Sequence, residues 1–599
     1  MSNWNNFLPK ADAGIKKESV EDKMNTKYTA EENTLILIAL MKAHGVRKVI
    51  VSPGTTNISF VASIQQDAWF ELYSAADERS AAYMACGLAA ESGEPVALSC
   101  TGATASRNYI PGLTEAFYRK LPVLAITSTQ HTGRVGQLVA QVIDRSQQLN
   151  DMVKLSVQLP MIHSEEDRWT EVVSVNQALL ELKRHGGGPV HINLTTTYCS
   201  DFSVAELPKV RKIERFLPSD QLPAMPKGKV AVFIGQHAAF TKELTEAVDA
   251  FCASHNAIVL CDQTSNYRGK YCVLASIASA QRKDYSLNSC NVLIHIGNVS
   301  GAYMGVRADE VWRVNQDGEI RDTFKKLHYV FEMDELAFFK SYLTGESGAD
   351  SFIKEANADL ARLRGKLPDL PFSNLWVASK TAQRIPDGSV LHLGILNTLR
   401  AWNYFETPSS VSVYSNTGGF GIDGLLSTLV GAALANPQKL YFGVIGDLAF
   451  FYDMNALGNR HLGKNVRLMV INNGCGTEFK NYNHHAARFG EDGNPFMAAE
   501  GHYGHKSPLL LKNYAENLGC KYLSASSKEE YLQSVEEWLS PEIGERPIVF
   551  EVFTNYQDES DALKMMNTIE ADAAHGAKEL VKGILGEKGV KAVKSLLKR

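Results

Sequence analysis

Two short polar turns in the last third of the chain carry residue types that bind a hard cation. Asp447, within GDL, follows a predicted strand at 440–445, and Asn473, within NNG, follows a second predicted strand at 467–471. A βαβ crossover of this length returns the second strand beside the first, so both strand ends would open on one crevice. A carboxylate and an amide oxygen there suit Mg²⁺, which prefers oxygen ligands and often binds phosphate as well. Either turn alone would be an ordinary turn, so the prediction depends on their joint spacing.

A glutamate in the first third of the chain is the second candidate for chemistry. Glu78 lies in SAADERSAAYMACGLAAES, after a predicted strand at 70–74 and at the start of an alanine-rich helix. A carboxylate in a dry site has a raised pKa and can share its proton with a neighbouring base. A first-turn acid that stabilises the start of a helix is the alternative, and the segment alone does not decide between the two.

The elements that must position these residues follow the pattern of an α/β protein. Helical stretches alternate with short runs rich in Val, Ile and Leu, which predict buried parallel strands. The other predicted strands are 48–52, 95–100, 122–127, 190–194, 229–234, 257–261, 292–296 and 311–314. Ligands of doubly wound sheets bind at the carboxyl ends of strands, where Asp447, Asn473 and Glu78 are all expected.

Breaks in composition divide the chain into three Rossmann-like, doubly wound domains in series. The predicted bounds are an N-terminal tail at 1–27, a first domain at 28–204, a linker at 205–227, a central domain at 228–345, a third domain at 346–558 and a helical C-terminal tail at 559–599. The linker is rich in proline and charge. The C-terminal tail carries a short amphipathic stripe of Val590, Val593 and Leu597, which we expect to dock on protein rather than lipid.

The composition disfavours several classes of function. The 599 residues carry a net charge of -5, which provides no field for gathering nucleic acid or anionic lipid. No segment approaches the roughly 18 uninterrupted apolar residues of a membrane span, and the N-terminus lacks the apolar core of a signal peptide. The nine cysteines form no CxxC pair, which argues against disulfides and zinc. We therefore expect a cytoplasmic protein with small-molecule partners, without nucleic acid or membrane.

These motifs together resemble the thiamine-diphosphate-dependent 2-oxo-acid decarboxylase and carboligase superfamily. The GD and NN turns match its metal-binding motif, although Leu448 stands where many members have glycine. The stretch SNTGGFGIDGLLSTLVGAALANPQKLYFGVIGDLAFFYDMNAL, with VSPGTTNISF and VHINLTT, is most similar to the 2-succinyl-5-enolpyruvyl-6-hydroxy-3-cyclohexene-1-carboxylate (SEPHCHC) synthases of the menaquinone pathway. The resemblance covers about 28–553 and identifies the domains as pyrimidine-binding, central and diphosphate-binding.

The resemblance implies thiamine diphosphate and Mg²⁺ as cofactors. Glu78 would hydrogen-bond the pyrimidine ring and favour the imino tautomer, whose nitrogen removes the C2 proton of the thiazolium ring. Asp447, Asn473 and the Cys475 carbonyl would bind the metal. The other matched positions are Gln141 near the reacting carbon, Ile422 as the prop that bends the cofactor, and Pro53, Asn108, Asn416, Gly421, Gly446 and Leu448 in the cofactor cradle.

The predicted substrate residues depart from the SEPHCHC synthases. Those enzymes carry one arginine in the loop after SPG and another before the Gly-rich turn of the third domain, and both hold acidic substrate. Thr56, next to Thr55, and Thr417 stand at these positions, which removes two bidentate clamps for carboxylates. Arg400 matches a third arginine position. Loop arginines could compensate, and the candidates are Arg107, Arg134 and Arg145.

The predicted function is thiamine-diphosphate- and Mg-dependent decarboxylation of a 2-oxo acid, with carboligation of the resulting enamine to an acceptor. The alternatives are SEPHCHC synthase itself, a simple 2-oxo-acid decarboxylase or acetolactate-synthase-like enzyme, and a non-catalytic binding protein on the same fold. A nicotinamide dehydrogenase is disfavoured because no GxGxxG opens a βαβ unit. A flavin (FAD) in the central domain stays open. The resemblance also implies a homodimer or homotetramer with active sites between subunits.

Overall fold

The computed structural model describes residues 27–281, 283–302, 304–345 and 348–570. Contacts divide the chain into two compact units, Met1–Arg215 with Ile320–His328, and Phe216–Glu319 with Tyr329–Arg599. Three parallel-sheet α/β domains follow one another along the sequence, which confirms the predicted fold class. The predicted stripe of Val590, Val593 and Leu597 lies outside the described residues.

The first sheet is built from six strands of the first unit. They are β1 (Lys48–Val51), β2 (Glu71–Ser74), β3 (Val96–Cys100), β4 (Val123–Thr129), β5 (Ser156–Leu159) and β6 (Val190–Thr195). Their spatial order is β2-β1-β3-β4-β6-β5, and every pair is parallel. The helices of this part are α1 (Glu32–Ala43), α2 (Ile58–Gln65), α3 (Glu78–Ser92), α4 (Thr104–Asn108), α5 (Ile110–Tyr118) and α6 (Glu165–Glu181).

The second sheet has seven strands. They are β7 (Glu214–Phe216), β8 (Val230–Ile234), β9 (Ala257–Cys261), β10 (Cys272–Leu274), β11 (Ser289–Ile296), β12 (Arg307–Val314) and β13 (Leu327–Phe331), in the order β10-β9-β8-β11-β12-β13-β7. The helices are α7 (Lys242–His255), α8 (Ser276–Ala280), α9 (Glu335–Ser341) and α10 (Ser351–Arg364). The segment 205–227, which the composition predicts as a linker, thus contains the edge strand β7.

The third sheet contains the strands that carry the GD and NN turns. Its members are β14 (Val390–Leu393), β15 (Ser412–Tyr414), β16 (Tyr441–Gly446), β17 (Val466–Asn472), β18 (Lys521–Ala525) and β19 (Ile548–Phe553). They are parallel in the order β15-β14-β16-β17-β19-β18. The helices are α11 (Asn374–Thr381), α12 (Asn397–Trp402), α13 (Leu425–Leu434), α14 (Asp447–Tyr452), α15 (Tyr503–Lys506), α16 (Leu510–Asn517), α17 (Lys528–Trp538) and α18 (Tyr556–Asn567).

The central strands are buried along their whole length. This holds for β3, β4, β6, β8, β9 and β17. Parallel sheets with helices on both faces need such continuous apolar runs, and this explains why the sequence predicts these strands well. The sequence does not predict the short, less completely buried strands β5, β7 and β10 at the sheet edges. It also misses β13, β14, β15, β18 and β19, of which β14 is buried along its whole length.

Two further features of the described chain concern its helices and its cysteines. None of its helices combines the length and apolar character needed to cross a bilayer. All nine cysteines carry free thiols.

Candidate active site

The carboxyl ends of β16 and β17 bring Asp447 beside the NNG turn, as the spacing predicts. The two strands are parallel neighbours, with Gly446 paired to Ile471. The Gly474 backbone N–H donates a 2.8 Å hydrogen bond to Asp447 Oδ2. Burial raises the pKa of the Asp447 carboxyl to about 7, although hydrogen bonds from Gly474 and Leu448 oppose this shift. A cation at this position would favour the ionised carboxylate, so the residue fits a metal ligand.

The NNG turn and the residue that follows it hold the other two predicted metal ligands. Asn473 Oδ1 accepts a 3.3 Å hydrogen bond from the Cys475 N–H. Gly474 between them has a φ of 81°, a left-handed conformation that glycine adopts without strain. The Cys475 carbonyl accepts a 3.0 Å bond from the Thr477 N–H, and burial raises the pKa of the Cys475 thiol to about 11. The thiol is therefore neutral, which leaves the carbonyl oxygen as the candidate ligand.

Open space lies beside these turns on the same sheet edge. A Cβ added to Gly446, Gly418 or Gly419 would meet no other described atom within 4 Å. Ile422 packs against the core of this sheet, and Asn416 Nδ2 donates to Thr428 Oγ1 at 3.1 Å. The predicted cradle residues of this half follow two strand ends, with Asn416, Gly421 and Ile422 after β15, and Gly446 and Leu448 at the end of β16. The arrangement fits a bulky anion such as a diphosphate.

A lysine that the sequence analysis missed lies close to the metal-ligand turn. The Cβ, Cγ and Cδ of Lys506 are within 3.4–3.9 Å of the place where a Cβ on Gly474 would lie. Its ammonium group donates to the Thr554 carbonyl. Desolvation lowers the pKa of Lys506, while the Asp447 carboxylate raises it. No local motif marks this residue, because its position depends on how the chain returns from 474 to 506.

Glu78 occupies the first turn of α3, where the sequence places it. The preceding Asp77 is the N-cap and accepts a 3.0 Å bond from the Arg79 N–H. Because Asp77 caps the helix, the Glu78 side chain is not needed for that role. Asn108 Nδ2 donates to Glu78 Oε2 at 3.5 Å, so these two predicted residues lie together. Glu78 is half-buried in the isolated chain.

The remaining predicted residues of the first unit lie in loops at the carboxyl edge of its sheet. Gln141 has a φ of 64° and an exposed side chain, and its carbonyl oxygen is 2.9 Å from the place where a Cβ on Gly102 would lie. Pro53 lines an open groove of about 270 Å³ with Gly54 and Asn57. Both residues are thus at the edge of the sheet where doubly wound folds bind ligands.

The threonines that replace the expected arginines differ in exposure. Thr55 is exposed, whereas Thr56 and Thr417 are only 5% and 2% exposed. Thr56 Oγ1 is 2.7 Å from Thr101 Oγ1 and donates to the Ser128 carbonyl at 3.1 Å. These positions therefore supply no cation, and the Thr56 hydroxyl is bonded within its own unit.

Arg400 is present at the predicted edge, but its guanidinium binds a carboxylate of the same chain. Nη1 and Nη2 donate to the two oxygens of Glu478 at 2.8 and 3.0 Å. Nη1 also donates to Asn397 Oδ1 at 2.8 Å. Glu478 is not among the residues predicted from the sequence, although its position five residues after Asn473 places it on the site loop.

The three arginines considered as substitutes also have partners inside the first unit. Arg107 donates to the Asp144 carbonyl at 3.0 Å, and Arg134 donates to the Gln130 side chain. Arg145 is 2% exposed and donates to the Ser128 carbonyl at 3.0 Å. Of the three, Arg145 is too deeply buried to meet a substrate without rearrangement.

Comparison with known proteins agrees with this geometry. Residues 34–149 match the N-terminal TPP binding domain of thiamine pyrophosphate enzymes, and residues 397–552 match the C-terminal TPP binding domain. The chain is 31% identical to a SEPHCHC synthase of Phocaeicola vulgatus, with 90% of this chain and 98% of the relative aligned. A SEPHCHC synthase of Bacteroides fragilis is 32% identical over the same shares, and one of Flavobacterium johnsoniae is 28% identical over 86% and 95%.

The chain belongs to the family of thiamine-diphosphate-dependent enzymes. It is an enzyme that acts on a 2-oxo acid, with thiamine diphosphate as cofactor and Mg²⁺ as its partner metal. Within that family, the relatives described above are all named SEPHCHC synthases.

Proposed function

We propose that the chain decarboxylates a 2-oxo acid and joins the remaining acyl unit to an acceptor, with Glu78 and the Asp447 site as the two parts of its catalytic centre. Thiamine diphosphate, when bound, would supply the nucleophilic carbon and an acceptor for the electron pair that the broken carbon–carbon bond leaves behind as CO₂ departs. The observation that carries the assignment is the 2.8 Å bond between Asp447 and Gly474, because it joins the GD and NN turns into one site. Asp447, Asn473 and the Cys475 carbonyl are the proposed metal ligands.

The proposed role of Glu78 is to exchange a proton with a ring nitrogen of the bound pyrimidine. Its half-buried carboxylate, supported by Asn108, is available for this because Asp77 caps the helix. Gln141 is the proposed polar group near the reacting carbon. The proposed cofactor contacts are Pro53, Asn108, Asn416, Gly421, Ile422, Gly446 and Leu448, and the proposed substrate contacts are Thr55, Thr56, Thr417 and Arg400.

We propose a homodimer or homotetramer with active sites between subunits. Support comes from helix α3, which begins at Glu78 and exposes Tyr83 and Met84 by 47% and 45%. Apolar side chains exposed next to a catalytic residue are typical of a surface that a partner covers. A cytoplasmic location stays a prediction, which cell fractionation would test.

We propose that the substrates are smaller or less acidic than 2-oxoglutarate and isochorismate. Two positions that hold arginine in SEPHCHC synthases are Thr56 and Thr417, and the fork of Arg400 is bound to Glu478. A charge-assisted hydrogen bond contributes about 1.5–3 kcal/mol, so two lost clamps would reduce use of acidic substrates by roughly 10²–10⁴. SEPHCHC synthase itself is the second candidate, favoured by alignment with 98% of such a relative.

A screen of 2-oxo acids for CO₂ release, with purified protein, Mg²⁺ and thiamine diphosphate, tests the proposal. We expect release from a small acid such as pyruvate, and a carboligation product when an aldehyde acceptor is added. An aldehyde product that persists with acceptor present would indicate a simple decarboxylase instead. Consumption of isochorismate with 2-oxoglutarate at about 1 s⁻¹ or faster would overturn the substrate assignment. A yellow colour of the purified protein would indicate a flavin.

A further inference from the structure

Arg400 and Glu478 form an ion pair at the sheet edge that carries the proposed metal site. Arg400 lies on α12, which follows β14, and Glu478 lies in the turn Thr477–Lys480, which follows β17 and its NNG sequence. Both β14 and β17 are hydrogen-bonded to β16, the strand that ends at Gly446 next to Asp447. The two charged side chains therefore approach each other across the strand end that presents Asp447.

Two asparagines hold this pair in a closed hydrogen-bond network. Asn397 Oδ1 accepts bonds from Arg400 Nη1 at 2.8 Å and from Asn481 Nδ2 at 2.9 Å. Asn481 Nδ2 also donates to Glu478 Oε2 at 3.3 Å. The side chains of Arg400 and Glu478 remain 35% and 20% exposed, so a molecule in the cleft can reach them. The pair is thus fixed in geometry and still accessible.

We infer that Glu478 is a specificity-determining residue, which makes this part of the site favour a neutral, hydroxyl-bearing substrate over a carboxylate. The inference rests on the proposed function, since it concerns the substrate of that same site. A guanidinium fork binds one carboxylate through two parallel bonds, and Glu478 already fills that place on Arg400. A substrate carboxylate would have to displace Glu478 or lie beside its negative charge.

A neutral hydroxyl group meets a different environment at the same position. It can donate a hydrogen bond to the remaining lone pairs of the Glu478 carboxylate without any repulsion between like charges. The network therefore combines an attraction for one class of ligand with a repulsion against the other. We expect a discrimination of about 10- to 100-fold, the size of one charge-assisted bond.

Binding of unreactive probes to the holoenzyme tests this inference. Glutarate and its monoamide have the same length and differ in one terminal charge, so calorimetric titration of both isolates the effect of that charge. We expect the wild type to bind the monoamide at least about 10-fold more tightly than glutarate. The variant Glu478→Gln should reverse this preference, because it leaves the Arg400 charge without a negative partner. The matched control is Glu516→Gln, which changes an exposed glutamate on α16 and should behave as wild type.

Several outcomes would overturn the inference. One is a wild type that binds glutarate as tightly as the monoamide, a result that needs no variant to fold. A second is a folded Glu478→Gln variant in which the ratio of the dissociation constants for glutarate and its monoamide is unchanged. A third is a Glu478→Gln variant whose tighter binding of glutarate persists when Arg400→Gln is added. The titration requires no turnover, so a chain that releases no CO₂ from any 2-oxo acid would contradict the proposed function separately.

Discussion

At the scale of single residues, the proposed metal ligand Asp447 and the proposed proton-exchanging residue Glu78 lie in different environments. Asp447 is 5% exposed, and its pKa is raised to about 7 by burial. Glu78 is half-buried, beside Asn108 and behind the N-cap residue Asp77. The first environment suits an oxygen ligand that a cation stabilises, and the second suits a carboxyl group that a ligand covers when it binds.

Replacing Glu78 by Gln should slow activation of the cofactor without preventing its binding. The amide keeps the size of the side chain and a hydrogen bond, but it has no titratable proton. We expect the rate of hydrogen–deuterium exchange at C2 of the bound cofactor to fall by roughly 10²–10⁴, as is usual for general acid–base catalysis. An unchanged exchange rate in the Gln variant would exclude Glu78 from this role.

Replacing Asp447 by Ala should abolish Mg²⁺-dependent retention of thiamine diphosphate. The carboxylate is the only charged ligand among the three proposed ones, so the metal would lose its main electrostatic partner. The fold should survive, which circular dichroism can verify. A chelator titration measures retention, and a variant that holds the cofactor as tightly as wild type would show that the GD and NN turns are not the metal site.

At the scale of elements, a buried glutamate links α18 to the start of α11. Both carboxylate oxygens of Glu559 accept bonds of 3.0 Å from the Asn374 N–H, and one also accepts a 2.7 Å bond from Thr554 Oγ1. Asn374 is the first residue of α11, where the helix dipole favours negative charge. Burial nevertheless dominates and raises the Glu559 pKa to about 7. The charged form of this residue therefore destabilises the folded state.

The variant Glu559→Gln should change the dependence of stability on pH. A carboxyl whose folded pKa lies above its unfolded value of 4.5 contributes stability below about pH 4.5, and this is lost as the pH rises towards 7. Relative to wild type, the free energy of unfolding of the variant should rise by about 3 kcal/mol between pH 4.5 and pH 8. Denaturant unfolding at several pH values measures it, with Glu516→Gln as control. A difference that is constant with pH would contradict the assignment.

At the scale of the whole molecule, subunit association should be required for activity. The exposed Met84 on α3 lies less than two helical turns after Glu78, and a charge there would be buried without a partner in an interface. We expect Met84→Asp to sediment as a monomer and to lose most of its CO₂ release, with its secondary structure intact. Leu343→Asp, at another exposed apolar residue, is the control and should remain associated. An active monomeric variant would exclude active sites between subunits.

The sequence by itself determines the cofactor class and most of the central strands. Runs rich in Val, Ile and Leu predict β3, β4, β16 and β17 because a strand buried on both faces of a sheet is mostly apolar along its length. Asp447 and Asn473 could be placed together because a βαβ crossover returns the next parallel strand beside the last. Glu78 could be placed at the start of a helix because a strand end followed by an alanine-rich run is a local pattern, whereas its proposed role rests on the family resemblance. Each of these predictions needs only short-range information.

The tertiary structure decides which charges near the site are free. Arg400 and Glu478 are 78 positions apart and meet because their strands both pair with β16. Burial of Thr56 likewise depends on Thr101 and Ser128, which reach it from β3 and β4. The edge strand β5 escapes prediction because its burial is partial, so its pattern is mixed. Such features depend on long-range packing. A local pattern of residue types does not say which distant side chain will become the hydrogen-bond partner of a given group.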